Sequence, residues 1–233
     1  MRTSIEDLNL YAFCPRYYEQ KGKPFYAGGS LHNNMKSLLI YASRKELETG
    51  DRVSFSQLTD RWARLFFNDR EHTSGAEKEY IRTVRALHDF YGWFSELPLS
   101  SVPIINYPVE APIAGNHILT GTIPVIRFNA EDGVSLIFTE YIDSSQALLR
   151  SNAVRFLALS LKELDLDVVA IHNAAFTSPS KVSVFTIIPN DTFWASCRRD
   201  AIGILNSMHV KSTYSNNLSC PACPIETSCK PAD

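Results

Sequence analysis

Cysteine placement constrains this chain more than any other feature. Of its five cysteines, Cys14 sits in Phe13-Cys14-Pro15-Arg16 and Cys197 in Ser196-Cys197-Arg198. The other three crowd into Cys220-Pro221-Ala222-Cys223-Pro224-Ile225-Glu226-Thr227-Ser228-Cys229. A C-x2-C-x5-C run this dense, with prolines holding the backbone open, offers three corners of a metal site. Cys14 is the natural fourth ligand, so the two ends of the chain are expected to meet in space. An odd cysteine count with asymmetric spacing argues against a secreted disulfide framework. Cys197 is expected to be a spare thiol on a helix. Spacing alone leaves structural zinc, an iron–sulfur cluster and unligated thiols all open.

The 233 residues suit one large domain, and 45% hydrophobic with 21% charged residues is ordinary for a soluble globular protein. No run approaches eighteen uninterrupted apolar residues, and Met1-Arg2-Thr3-Ser4-Ile5-Glu6-Asp7 lacks a signal-peptide core, so a soluble cytoplasmic protein without membrane association is expected. The net charge of -2 gives no global attraction to nucleic acid. Any such binding must rest on local basic patches, because each phosphate contact needs a nearby cation.

Ser4 followed by Asp7 marks the start of a first helix carrying Leu8, Leu10, Tyr11 and Phe13 towards Cys14. Periodicity predicts further helices over residues 29–48, 56–68 and 76–97, the last with Ile81, Val84, Leu87, Phe90, Tyr91 and Phe94 on its apolar side. The character then changes to β-branched and aromatic runs at 104–113, 118–128 and 134–142, separated by turn-forming residues, which predicts a three-stranded antiparallel meander. A helix over 145–164, strands near 167–173 and 182–188, and a last helix from Asn190-Asp191 to Met208 follow. A single domain over 1–233 is expected, in three parts: a helical region 1–98, an αβ core 99–189, and a C-terminal helix with the cysteine run over 190–233.

This order of elements, with Leu8-Asn9-Leu10-Tyr11-Ala12-Phe13-Cys14-Pro15-Arg16-Tyr17-Tyr18 at one end and C-x2-C-x5-C at the other, resembles the RecB-like branch of the PD-(D/E)XK nucleases that carries a 4Fe-4S cluster. The nuclease of CRISPR spacer acquisition and the nuclease domain of AddB belong to that group. The resemblance implies an α/β fold, a restriction-endonuclease-like mixed sheet flanked by helices, with an N-terminal helical region and a terminal four-cysteine cluster. It also implies that Cys14, Cys220, Cys223 and Cys229 bind a 4Fe-4S cluster, with structural zinc as the alternative.

Members of that family hold a divalent metal with a helix His, an Asp in G-x-I-D and an acidic residue in D/E-x-K, whose Lys serves the attacked phosphate or the attacking water. Here Gly28-Gly29-Ser30-Leu31-His32 keeps His32, but Gly121-Thr122-Ile123-Pro124 puts Pro124 where the Asp belongs. Glu140-Tyr141-Ile142 keeps Glu140 and puts Ile142 at the Lys position. On the next helix, the family's Gln and Tyr become Asn152 and Phe156. Proline supplies no side-chain oxygen to a hard cation. Isoleucine can neither donate to a phosphate oxygen nor help deprotonate water, and one lost donor of this kind costs about 10² to 10³ in rate. Mg2+ or Mn2+ is therefore not expected, and a rebuilt site from Glu110, Glu140 and Asp143 is the alternative.

The resemblance thus implies a catalytically inactive homologue that binds DNA, or scaffolds protein partners, within a DNA-processing complex of recombination, defence or a mobile element. A divergent metal-dependent exonuclease and a protein-interaction module that no longer touches nucleic acid are the other readings. Candidate nucleic-acid contacts are Arg16, Tyr17, Lys21 and Lys23, interleaved with Tyr18, Phe25 and Tyr26, where cations meet phosphates and rings meet bases. Arg150, Arg155 and the Arg198-Arg199 pair are further phosphate candidates.

Overall fold

The structure is a computed structural model and describes residues 2–14, 18, 30–68, 75–98, 102–115, 117–128 and 133–208. It is a mixed α/β architecture in three layers. A short strand β1 (Arg2–Ser4) leads into helix α1 (Ile5–Phe13), where the Ser4 hydroxyl caps the helix by accepting from the Asp7 backbone N–H at 3.0 Å. Three helices follow, α2 (Ser30–Thr49), α3 (Phe55–Asn68) and α4 (Ala76–Glu96). The meander is β2 (Pro103–Ala114), β3 (His117–Phe128) and β4 (Val134–Phe138). Helices α5 (Ser145–Arg150) and α6 (Asn152–Lys162) cross over to β5 (Val168–Ser178), β6 (Lys181–Ile187) turns back antiparallel, and α7 (Asp191–Ser207) closes the described chain.

Strand β3 is central. β2 pairs antiparallel along one edge, whereas the other edge is shared: β1 lies parallel to residues 118–120 and β4 antiparallel to 125–128. β4 and β5 run parallel, joined by the helical crossover, and β6 borders the sheet. Between the two partners of that shared edge, residues 121–124 face neither strand. Gly121 lies in this gap because a Cβ there would come within 2.8 Å of Leu157 Cδ2 and 3.1 Å of Ile5 Cδ1. Opposite, the β2 ladder passes from Ile105↔Val125 to Tyr107↔Ile123 and leaves out Asn106 and Pro124. Pro124 has no N–H to offer, and Asn106 takes a left-handed φ of 52°, which asparagine tolerates better than most residues.

One face of the sheet buries Val125, Ile137, Ala174, Phe176 and Val182 under α2, α3 and α4. Leu58, Trp62 and Phe66 on α3, and Leu87, Phe90 and Phe94 on α4, repeat at helical spacing and are fully buried. Trp62 stacks on Phe176 with centroids 5.3 Å apart, and its indole N–H donates to Thr83 Oγ1 at 2.9 Å. The other face buries Leu119, Ile123, Leu136, Phe138 and Ile171 under α1, α6 and α7. Every residue from Val154 to Leu161 is buried, so α6 is the internal helix of this layer.

Four expectations change. Ile81 is 51% exposed, and Thr83 takes the buried position on α4, where its hydroxyl serves the Trp62 indole and the Tyr80 carbonyl. The helix expected over 145–164 is two helices, because Ser151 adopts an extended ψ of 106° and turns its hydroxyl to the Val154 N–H, ending α5 and capping α6. The third meander strand ends at Phe138 rather than at 142. β1, too short for a periodic signal, was not expected at all.

Candidate functional site

Of the degenerate pocket, Pro124 lies in the gap of the β3 edge, and Glu140 follows β4, which pairs with the next residues of β3. Beyond the end of β4, the ladder is continued by a side chain. Asn173 on β5, fully buried, accepts from the Glu140 backbone N–H at 2.8 Å and donates to the Glu140 carbonyl at 3.0 Å. This amide holds Glu140 as an adjoining strand would. Burial pushes the Glu140 carboxyl above its ordinary range, the Lys36 ammonium opposes that shift, and Glu6 adds to it. His32 opens α2, and both burial and Lys36 push its imidazole down. Lys36 stands one turn after His32 on the same helix face and is the charge that both groups feel.

Pro124 and Ile142 are both buried, Ile142 at 7% exposure within the core cluster under α6. An aspartate or lysine there would be a charge taken out of water, so the two positions have become core. Glu110 is not part of this neighbourhood: it forms an exposed ion pair with Arg2 at 2.7 Å, across the β1–β3–β2 edge. Asp143 is exposed. Among the described residues, no three His, Cys, Asp or Glu side chains group so as to hold a metal ion, the set Glu110, Glu140 and Asp143 included.

Because the folded Glu140 carboxyl holds its proton to higher pH than the unfolded one, its contribution to stability is complete below about 4.5 and falls as pH rises through the folded value. Glu140→Gln should therefore raise stability at neutral pH and flatten the pH dependence above 4.5, as read from urea unfolding at pH 4.5 and 7.5.

At the opposite end of the α1 layer, Cys14 terminates α1, donating its backbone N–H to Leu10, and its side chain is partly exposed. One turn earlier, the Tyr11 hydroxyl donates to the Ser207 carbonyl at 2.7 Å. The last turn of α1 and the last turn of α7 are thereby held together, although 196 positions separate them. Cys220, Cys223 and Cys229 lie outside the described residues, as do Arg16, Tyr17, Lys21, Lys23, Phe25 and Tyr26. Tyr18 packs edge-on against Tyr11 at 5.7 Å. Cys197 is fully buried on α7, and burial pushes its thiol up, as fits an inert core cysteine.

The expected phosphate contacts divide. Arg155 is corrected: it is 7% exposed, and its Nη2 is 2.6 Å from Asp200 Oδ2 and 2.7 Å from Ser196 Oγ, which ties α6 to α7. Its guanidinium is buried against the partly exposed Asp200 carboxylate and does not face solvent. Arg198 pairs with Glu163, and the exposed Arg199 reaches Asp200 at 3.5 Å. Arg150 is exposed and makes no ion pair among the described residues. It lies on the wall of an open cleft of about 460 Å³ whose floor includes Ile142.

Asn173 and Lys36 were not singled out in the sequence. Lys36 could have been, since it follows His32 by one helical turn. Asn173 could not, because only strand pairing brings it to Glu140.

No family model and no curated protein matches the chain. Among solved structures, "Crystal structure of SSO0001" superposes with a TM-score of 0.45 at 11% identity, over 98% of this chain and 85% of that chain.

Proposed function

We propose that this chain is a catalytically inactive iron–sulfur homologue of the RecB-like nucleases, working as a DNA-binding or scaffolding subunit of a DNA-processing complex. The observation that carries the reading is the Tyr11–Ser207 hydrogen bond. It holds the helix that ends at Cys14 against the helix from which the Cys220–Cys229 run continues. The twelve Cα–Cα steps from Met208 to Cys220 can span up to roughly 40 Å, ample reach for a shared site. Four thiolates, Cys14, Cys220, Cys223 and Cys229, suit a 4Fe-4S cluster, with zinc as the rival for the same donors. When bound, either would staple the chain termini and supply no hydrolytic chemistry. The inactive reading is further supported by the burial of Pro124 and Ile142 and by the Glu140 carboxyl that burial drives towards its neutral form.

One observation favours the divergent exonuclease as a second reading: Lys36 supplies an ammonium near Glu140, from a helix instead of the strand position held by Ile142.

Anaerobically purified full-length protein is expected to absorb broadly near about 400 nm, with iron and sulfide at about four each per chain. Cys14→Ser should lose most of that absorbance. Stoichiometric zinc in a colourless preparation would replace the iron–sulfur assignment. With labelled single- and double-stranded DNA and Mg2+ or Mn2+, the expected result is salt-sensitive binding with intact DNA. Cleavage abolished by both Glu140→Ala and Lys36→Met would establish the exonuclease instead. Absence of binding at moderate salt would favour the protein-interaction module.

A further inference from the structure

An open cleft beside Ile142 brings a cation and an aromatic ring together. Its polar lining is Tyr141, Ser144, Gln146, Arg150 and Ser151, and Ile142 and Ala147 give it an apolar floor. The walls hold a guanidinium, a carboxamide, a phenol and two hydroxyls, with no carboxylate among them. Glu140 and Asp143 adjoin lining residues in the chain, but neither lines the cleft.

The two serines have a defined polarity. Ser144 Oγ accepts from the Ala147 N–H at 3.1 Å and Ser151 Oγ from the Val154 N–H at 3.5 Å. Each oxygen is thus occupied as an acceptor by a helix start, while each hydroxyl proton is left to donate. Tyr141 is 60% exposed, so its ring is open to a ligand at this cleft. A guanidinium with neighbouring hydroxyl donors and no carboxylate suits a phosphodiester, and an exposed ring at the same cleft suits a base.

We propose that this cleft binds one nucleotide unit of single-stranded DNA, with Arg150 and the Ser144 and Ser151 hydroxyls on the phosphate and the Tyr141 ring stacked on the base. The proposal rests on the DNA-binding reading above and names the place where that binding occurs. It also assigns a use to the ground left by the Pro124 and Ile142 replacements: the strand is held where no hydrolytic group reaches it.

The test uses full-length protein and a fluorescein-labelled thymidine 20-mer without divalent metal, followed by anisotropy at several salt concentrations. Arg150→Gln should weaken binding roughly ten-fold at low salt and reduce the slope of log K against log salt by about 0.7. Tyr141→Ala should weaken it roughly ten-fold or more, whereas Tyr141→Phe retains the stacking face and should bind like the wild type. Both side chains are exposed, so melting temperatures should match the wild type. Wild-type binding unchanged by Arg150→Gln and Tyr141→Ala overturns the cleft and leaves the DNA-binding reading intact. Equal losses in Tyr141→Phe and Tyr141→Ala overturn the stacking role. A wild type that fails to bind the oligomer overturns the DNA-binding reading itself, and the cleft with it.

Discussion

Glu46→Gln should unfold at markedly lower urea concentration than the wild type, with about 3–5 kcal/mol of stability lost, the usual cost of breaking a buried ion pair from one side. Glu46 on α2 is 6% exposed and sits between two arginines. Its Oε1 is 2.6 Å from Arg52 Nη1, and its Oε2 contacts Arg127 Nη2, whose residue on β3 is 1% exposed. Burial pushes the Arg127 guanidinium down, and the Glu46 carboxylate opposes that shift. The arginines also flank Phe94, with guanidinium carbons 5.2 Å and 5.3 Å from its ring centre. Arg52 donates to the Phe94 and Leu97 carbonyls, and Arg127 donates to Pro98 at 3.2 Å, so the end of α4 is capped by the same network.

Without the Glu46 carboxylate, both guanidiniums lose this anionic partner while staying largely shielded from water. The double variant Glu46→Met/Arg127→Met should lose less than Glu46→Gln alone, since it leaves one guanidinium without a carboxylate instead of two, and that one, Arg52, keeps the Phe94 and Leu97 carbonyls. A double variant less stable than the single one would show that packing, and not charge pairing, holds α2 and α4 on the sheet at this point.

The second large effect is a loss of stability in acid that depends on His172. This residue lies on β5, with Nδ1 2.9 Å from Thr186 Oγ1 on β6 and its ring 5.6 Å from that of Trp93 on α4. Burial pushes its pKa from 6.5 to about 4. The unfolded chain therefore takes up a proton that the folded chain refuses. The stability from this residue is complete above about 6.5 and lost as pH falls to about 4, by about 3 kcal/mol at most. His32, also depressed, acts in the same direction, whereas Glu140 acts in the opposite one. Urea titrations at pH 7 and pH 4.5 should show a smaller decline for His172→Phe than for the wild type. Equal declines would mean that the acid sensitivity resides in other groups.

Pattern-based reading worked where one helix or strand carries its own signal. The starts of α1 and α7 were legible because Ser4 and Asn190 cap through contacts three residues away, at Asp7 and Phe193. The α3 and α4 cores were legible from helical spacing, except that Ile81 and Thr83 exchange roles: periodicity ranks a residue by its apolarity and does not foresee a hydroxyl needed by Trp62. The split at Ser151 follows from a serine that caps one helix by interrupting another, a choice between two local solutions that α6 burial decides.

Of the candidate site, the replacements at 124 and 142 were readable as chemistry lost, since no structure can give proline a side-chain carboxylate or isoleucine an ammonium. The charge surroundings of Glu140 were not readable: Asn173, Lys36 and Glu6 reach it from a strand, a helix and the chain start.

By itself the amino-acid order determined the α/β alternation, the meander, the caps and the absence of working groups at two positions of the degenerate pocket, because all of these depend on residues a few places apart. Tertiary structure alone decided that Arg155 is a structural ion-pair partner while Arg150 faces an open cleft, and that Glu46 carries two arginines. Those outcomes turn on which side chains are excluded from water together, and exclusion from water is a property of packed surfaces that no stretch of sequence possesses until distant segments meet.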